Sequence, residues 1–322
     1  MNISFLNDRR VRFFGVVLPV LLLVGLVGAG CDSNSSTNEE PLQQVRYDLT
    51  AQSNSGAVSG GVDGTITFWR VGESQTLATL ELDDGATGAS VSHPAHIHAG
   101  AVSEAPGGIQ LYLSPLDGSG GGGTSARVID RPIEELADFD GYVNIHESVA
   151  SLGNIVSQGN IGANADGTEG GGLTLVDNPR SVTYPLAATS NSGSVAPSGL
   201  SGSVTFREVT DNITLVTLSL DTGGGATGAD VSHPAHIHAG SVSEAPGGIQ
   251  IYLSPVDGSD AAARSSKLVM RSYDDLSGFD GYVNVHESVA NLGAIVSQGN
   301  IGANASGSSG GGDDGGGGGG GY

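Results

Sequence analysis

The chain has 322 residues, which gives it room for about two domains of ordinary size. Its 34 acidic residues outnumber 12 basic ones, and the net charge of −22 disfavours nucleic acid and anionic lipid as partners, because both are also negative. With 54 glycines and 14% charged residues, the composition argues against a long-helix protein.

The N-terminus predicts an export signal. Arg9, Arg10 and Arg12 form a positive stretch. The apolar segment that follows, at 13–27, is shorter than a typical transmembrane helix. We therefore expect residues 1–30 to be a signal peptide.

Cys31 is the only cysteine of the chain, so it has no partner for an internal disulfide. Preceded by Ala29 and Gly30, it resembles the lipobox of bacterial lipoproteins, although Gly28 stands where that family usually has leucine. The resemblance implies that Cys31 is lipidated and becomes the mature N-terminus; the alternative is an unmodified cysteine in an uncleaved anchor. Residues 31–44 then form a polar tether, and we expect an exported protein held in the membrane by its lipid at the cell envelope or cell surface.

Most of the remaining chain consists of two tandem copies of one sequence unit. Segments before the histidines repeat after 138 residues and later ones after 140, so the second copy has two extra residues, which we assign to the turn at 223–225. Apolar and polar residues alternate with period two in short segments, which is typical of half-buried strands. One short helical stretch is predicted at 132–136, with its counterpart at 273–276. In the first copy, strands are predicted near 45–51, 64–70, 77–82, 95–99, 108–114, 126–130, 141–147 and 155–161.

These segments predict an all-β protein. We expect two tandem Greek-key β-sandwich or barrel domains of about eight strands each, at 45–165 and 181–305, joined by a linker at 166–180. The glycine-rich residues 306–322 cannot bury enough apolar surface to fold, so we expect a disordered C-terminal tail.

All eight histidines lie in two copies of one pattern. Residues two apart share a face of a strand, so His96 and His98 point one way, and the later strand places His146 on the face away from its aliphatic neighbours. If the two strands are neighbours, three imidazoles converge, and three nitrogens with an open fourth position suit zinc or copper. The predicted metal ligands are His96, His98 and His146 in the first copy and His236, His238 and His286 in the second.

By the same alternation, His93 and His233 fall on the opposite face of the strand from the predicted ligands. We therefore expect them to support the site or the structure rather than bind the metal. Glu147 and Glu287 follow the last histidine of each copy. We expect them to be solvated strand-end charges, or a fourth ligand if the strand ends there. The alternative for the whole pattern is a metal-free network, in which the imidazoles hydrogen-bond to side chains such as Asn144 or to backbone carbonyls and fix a loop.

Three segments of the first copy, 96–100, 107–113 and 141–146, have the sequences HIHAG, GGIQLYL and GYVNIH. Together they resemble the CHRD domain, a module named from chordin and common in bacterial secreted proteins. The second copy repeats all three, so the resemblance covers about three quarters of the chain. Where the family often has a Gly-Glu-Ile-Arg-Gly-Gln type strand, the chain has GNIVSQG at 153–159. The resemblance implies an extracellular β-sandwich module without catalytic residues.

Three classes of function follow. The favoured one is a non-enzymatic, surface-anchored module with a zinc or copper ion at each histidine triad and a surface protein or matrix component as partner. A redox enzyme similar to Cu/Zn superoxide dismutase is the alternative, but no histidine lies between His98 and His146 to bridge two metals. The third class is an adhesion module with structural histidines. Tyr112, Tyr142, Tyr252 and Tyr282 could contribute to its contact face, although lone tyrosines on sandwich strands are more often packing residues.

Overall fold

The structure is a computed structural model that describes residues 41–83, 87–88, 91–119, 123–228, 231–305 and 308–310, the last three through their backbone alone. The predicted signal peptide, Cys31, most of the predicted tether and residues 311–322 lie outside these ranges. Within the described ranges, no helix is long and apolar enough to span a lipid bilayer.

The first repeat is built from short antiparallel strands, one α-helical turn, α1 (Ile133–Ala137), and two 3-10 helices at Val102–Glu104 and Val149–Ser151. Its strands are β1 (Gln44–Ala51), β2 (Gly64–Gly72), β3 (Gln75–Leu82), β4 (Ser92–His93), β5 (Ala95–Ala99), β6 (Ile109–Tyr112), β7 (Leu116–Asp117), β8 (Thr124–Ile129), β9 (Asp140–His146), β10 (Ile155–Gly162) and β11 (Thr168–Gly170).

The second repeat has the same strands in the same order, the α-helical turn α2 (Tyr273–Ser277) and one 3-10 helix at Val242–Glu244. Its strands are β12 (Ser181–Ala188), β13 (Gly202–Thr210), β14 (Ile213–Leu220), β15 (Ser232–His233), β16 (Ala235–Ala239), β17 (Ile249–Tyr252), β18 (Val256–Asp257), β19 (Arg264–Val269), β20 (Asp280–Ser288), β21 (Asn291–Gly302) and β22 (Ser308–Gly310).

Each repeat folds as two facing sheets. In the first repeat one sheet has the order β11-β1-β2-β3-β8 and the other the order β6-β5-β9-β10. The end of β1 also pairs with β10, at Thr50 and Gln158, and joins the two sheets at one edge. Alternation explains why the sheets face each other, since Val45, Tyr47 and Leu49 of β1 are buried while the residues between them are exposed. The fully buried core between the sheets includes Ile66, Phe68, Ile97, Val143 and Ile145.

The two repeats share a continuous sheet. Strand β8 pairs with β19 at Ala126 and Ser266, which are equivalent positions of the two copies. A small apolar cluster lies at this junction and takes Leu77 and Ala126 from the first repeat and Val209 and Leu215 from the second. Nearby, the hydroxyls of Ser92 and Ser232, again equivalent residues, hydrogen-bond at 2.6 Å.

The sequence-based predictions of fold class, strands and helical turns are confirmed. All eight strands expected in the first copy are present, and the two extra residues of the second copy lie between β14 and β15. The segment expected to be a linker, 166–180, contains strand β11, which pairs with β1. Strand β22 is its counterpart in the second repeat and pairs with β12.

Candidate metal centre

Strands β5 and β9 bring three histidines of the first repeat together. The strands are hydrogen-bonded neighbours, with His96 opposite Asn144 and His98 opposite Tyr142. His146 is the last residue of β9 and lies on the same face. The sequence analysis required the two strands to be neighbours, and they are. The opposite face carries Ile97 and the other apolar residues of the core.

The three imidazoles are close enough to share one metal ion. One nitrogen from each ring lies within 4.8 Å of one from both others. The nearest pair, His96 Nδ1 and His146 Nε2, is 3.0 Å apart. Zinc bonds imidazole nitrogen at about 2.0–2.1 Å, which places two tetrahedral ligands about 3.3 Å apart, so this pair fits the separation that such an ion needs.

The backbone fixes the tautomers of two of the rings. His98 Nδ1 donates a hydrogen bond to the Gly107 carbonyl at 2.9 Å, and His146 Nδ1 donates to the Leu152 carbonyl at 2.6 Å. Because a carbonyl can only accept, both Nδ1 atoms carry the hydrogen and both Nε2 atoms carry a lone pair. His98 Nε2 is buried without any hydrogen-bond partner, which costs about 1–3 kcal/mol unless a ligand satisfies it.

Burial keeps these rings neutral. It lowers the pKa of His146 to about 4, with repulsion from His96 acting in the same direction. Burial likewise lowers the pKa of His98. A metal ligand must be a neutral imidazole, so both rings are ready to bind at neutral pH without losing a proton.

The second repeat reproduces the arrangement. His236 Nδ1 lies 3.1 Å from His286 Nε2, and His286 Nδ1 donates to the Leu292 carbonyl at 2.6 Å. His238 Nδ1 donates to the Gly247 carbonyl at 2.9 Å, and its Nε2 is again buried without a partner. Burial, followed by repulsion from His286 and His238, lowers the pKa of His236 to about 3.

Tyr142 supports the triad from inside the protein. Its ring stacks on His98 with centroids 5.0 Å apart and an angle of 13° between the planes. Its hydroxyl accepts a hydrogen bond from the Gly107 amide at 2.7 Å, so Gly107 holds both rings. Tyr142 and its counterpart Tyr282 are fully buried, so the expected exposed contact face cannot include them.

His93 and His233 lie outside the two triads. His93 is fully buried, and its Nδ1 donates to the His146 carbonyl at 3.0 Å while Thr87 contacts its Nε2. His233 makes the same bond to the His286 carbonyl at 3.1 Å. Each of them therefore holds the strand that carries the last histidine of its triad.

Glu147 and Glu287 differ from the expectation of solvated charges. Glu147 is 6% exposed and accepts hydrogen bonds from the Val58 amide and from Asn154 Nδ2 at 2.8 Å. The bond from Asn154 is the main reason why its pKa is lowered. Glu287 is equally buried and bonded to Val195 and Asn291, and neither carboxylate belongs to a triad.

Two polar groups lie beside the first triad, and sequence reasoning missed the second of them, Asp257. Asn144 Oδ1 is buried without a hydrogen-bond partner on the face that carries His146. Asp257 of the second repeat has a carboxylate oxygen 3.7 Å from His96 Nε2. The alternation of side chains along β9 predicts from the sequence that Asn144 lies on the face of His146. No local pattern predicts that Asp257 approaches the triad, because it lies in the other repeat.

Compared with known proteins, the chain matches no protein-family model, no curated protein and no solved structure. The geometry of the two triads therefore carries the functional proposal.

Proposed function

We propose that this protein binds one zinc or copper ion in each repeat through a histidine triad, and that it is an exported, lipid-anchored binding module without enzymatic activity. The observation that carries the proposal is the convergence of His96, His98 and His146, in which a buried imidazole lone pair has no other partner. The same convergence occurs in the second repeat.

The donor set favours zinc or copper over calcium or magnesium. Calcium and magnesium prefer oxygen ligands, whereas neutral imidazole nitrogens suit zinc and copper. Three protein nitrogens leave a fourth position for water or for a group from a partner. An ion held in this way would give the module a specific attachment point for a carboxylate or imidazole of another molecule.

The metal-free alternative, a purely structural network, accounts for part of the geometry. It explains the bonds from His98 and His146 to backbone carbonyls. It leaves His98 Nε2 and Asn144 Oδ1 buried and unpaired, although native proteins rarely leave such atoms without partners. A bound ion with a coordinated water would satisfy both kinds of atom.

The cellular setting rests on the sequence. The apolar segment before Cys31 and the lipobox-like residues around it support export and lipid anchoring. The resemblance of three segments in each repeat to the CHRD domain supports an extracellular binding role. A surface protein or matrix component is the partner class that fits both.

Elemental analysis of the full chain, produced without a His-tag and dialysed after incubation with zinc or copper, tests this proposal. We expect about two ions per chain, one for each triad. In His98→Asn, the amide can replace Nδ1 as donor to the Gly107 carbonyl but supplies no Nε2, so one ion should be lost. The variant with His98→Asn and His238→Asn should lose both.

Glu81→Gln is the control, because it removes an exposed carboxylate of the acidic surface and no imidazole. This variant should retain both ions. Equal metal content in wild type and in the double histidine variant would contradict the proposal, since the ions would then be bound elsewhere on the acidic surface.

A further inference from the structure

Asp257 lies beside the first triad although it belongs to the second repeat. It is 2% exposed, and its Oδ1 accepts hydrogen bonds from the amide and hydroxyl of Ser259 at 2.8 and 2.6 Å. Its Oδ2 lies 3.7 Å from His96 Nε2, and neither of these two buried atoms has a hydrogen-bond partner. Two unpaired polar atoms therefore face each other across the boundary between the repeats.

Among the residues that the structure describes, the second triad has no such neighbour. Asp117 is the counterpart of Asp257 and makes the same bonds to Ser119, at 2.7 and 2.5 Å. Within the described part of the chain, His96 and Asp257 are the only histidine and carboxylate whose nitrogen and oxygen approach within 4.0 Å. The two copies therefore differ at a position where their sequences are the same.

The cations at the junction also differ between the copies. Lys267 is buried near Asp117, whose charge opposes the lowering of the lysine's pKa by burial. Its counterpart in the first repeat is Arg127, which pairs instead with Asp260 at 3.0 Å. Asp260 has Gly120 as its counterpart in the sequence, so only one repeat offers this second carboxylate.

The orientation of His96 gives each ring nitrogen a separate role. Its Nδ1 points to His146 Nε2 and its Nε2 points to Asp257. An imidazole that binds a metal through Nδ1 carries its hydrogen on Nε2, and a carboxylate is the strongest common acceptor for that hydrogen. Such a pair fixes the tautomer and the ring orientation and makes the nitrogen a better ligand.

We propose that Asp257 is a positioning residue: when a metal binds His96 Nδ1, the carboxylate closes the 3.7 Å gap to His96 Nε2 and accepts its hydrogen. It thereby holds Nδ1 toward the metal and makes the first site the tighter of the two. This inference rests on the proposed function. It means that the second repeat completes the metal site of the first, so the two sites are not equivalent.

Zinc affinity of single-triad chains tests the inference, measured by competition with a chromophoric chelator. The His238→Asn chain keeps the first triad and should bind zinc more tightly than the His98→Asn chain, which keeps the second. Adding Asp257→Asn should weaken the first site about 10–100-fold, the usual effect of losing such a partner, and leave the second unchanged. Asp117→Asn is the matched control, because Asp117 makes the same bonds to its serine, and it should weaken neither site.

A second measurement separates positioning from a general effect on the fold. Long-range ¹H–¹⁵N correlation spectra of the zinc-loaded protein should show His96 with its hydrogen on Nε2, and His98 with its hydrogen on Nδ1. Coordination of His96 through Nε2 would overturn the inference. Two bound ions of indistinguishable affinity, or equal effects of Asp257→Asn and Asp117→Asn, would overturn it as well. Failure of both single-triad chains to bind zinc would instead overturn the proposed function on which it rests.

Discussion

Acid should destabilise the metal-free protein through its buried histidines, and His146 shows by how much. Its pKa in the folded protein is about 4, below its ordinary value of 6.5, because burial disfavours the charged ring. As the pH falls below 6.5, the unfolded chain takes up a proton that the folded chain does not accept until about pH 4. The stability linked to His146 is therefore fully present above pH 6.5 and lost between pH 6.5 and 4.

The size of the loss follows from the two pKa values. Between pH 7.5 and pH 5, His146 should lower the free energy of unfolding by about 2 kcal/mol. His236, whose pKa is lowered to about 3, should contribute a similar loss of about 2 kcal/mol over the same interval. Together these losses are a large fraction of the stability of an ordinary domain.

Urea unfolding of the metal-free protein, followed by circular dichroism at pH 7.5 and pH 5, measures this loss. The informative variant is His146→Asn, whose amide can still donate to the Leu152 carbonyl but takes up no proton. Its loss between the two pH values should be smaller than that of the wild type by about 2 kcal/mol. The same loss in both proteins would refute the argument that a buried neutral imidazole causes it.

Three further predictions concern packing, a buried carboxylate and cooperativity. Gly107→Ala would place a Cβ 2.0 Å from the Ala99 carbonyl oxygen and should destabilise by about 1–3 kcal/mol in thermal unfolding, whereas Gly108→Ala, which has room, should change little. Glu147→Ala should also cost about 1–3 kcal/mol by leaving its partly buried donors unpaired, unlike Glu81→Ala at an exposed position. Equal melting temperatures of the two variants would contradict this. The two repeats should unfold together, because they share a sheet and an apolar cluster. The fluorescence of Trp69, in the first repeat, should therefore change at the same denaturant concentration as the circular dichroism of the whole chain. Two separate transitions would show that the repeats unfold independently.

Much of the fold could be predicted from local pattern. Strand β1 alternates buried Val45, Tyr47 and Leu49 with exposed residues, and this period-two signal was sufficient to place it. Strands β4 and β7 have two residues each, which is too short for any periodicity to indicate them. Strand β11 lies in a glycine-rich stretch, and it forms because β1 offers a free edge, which is a tertiary cause.

The candidate site, too, could be predicted only in part from the sequence. The alternation of side chains along two strands was sufficient to predict that His96, His98 and His146 lie on one face, because the side-chain period of a strand is fixed. The burial of Glu147 depends on Gly56, which leaves room for the carboxylate from a distant loop. The approach of Asp257 to His96 depends on how the two repeats pack, and sequence periodicity contains no information about that contact.

The most direct test of the central claim is the X-ray absorption spectrum of the zinc-loaded chain at the zinc edge. If the triads bind the ion, zinc should have a nitrogen shell at about 2.0–2.1 Å and the outer scattering of three imidazole rings. A shell of oxygen atoms alone, without imidazole scattering, would place zinc on the acidic surface and contradict the account.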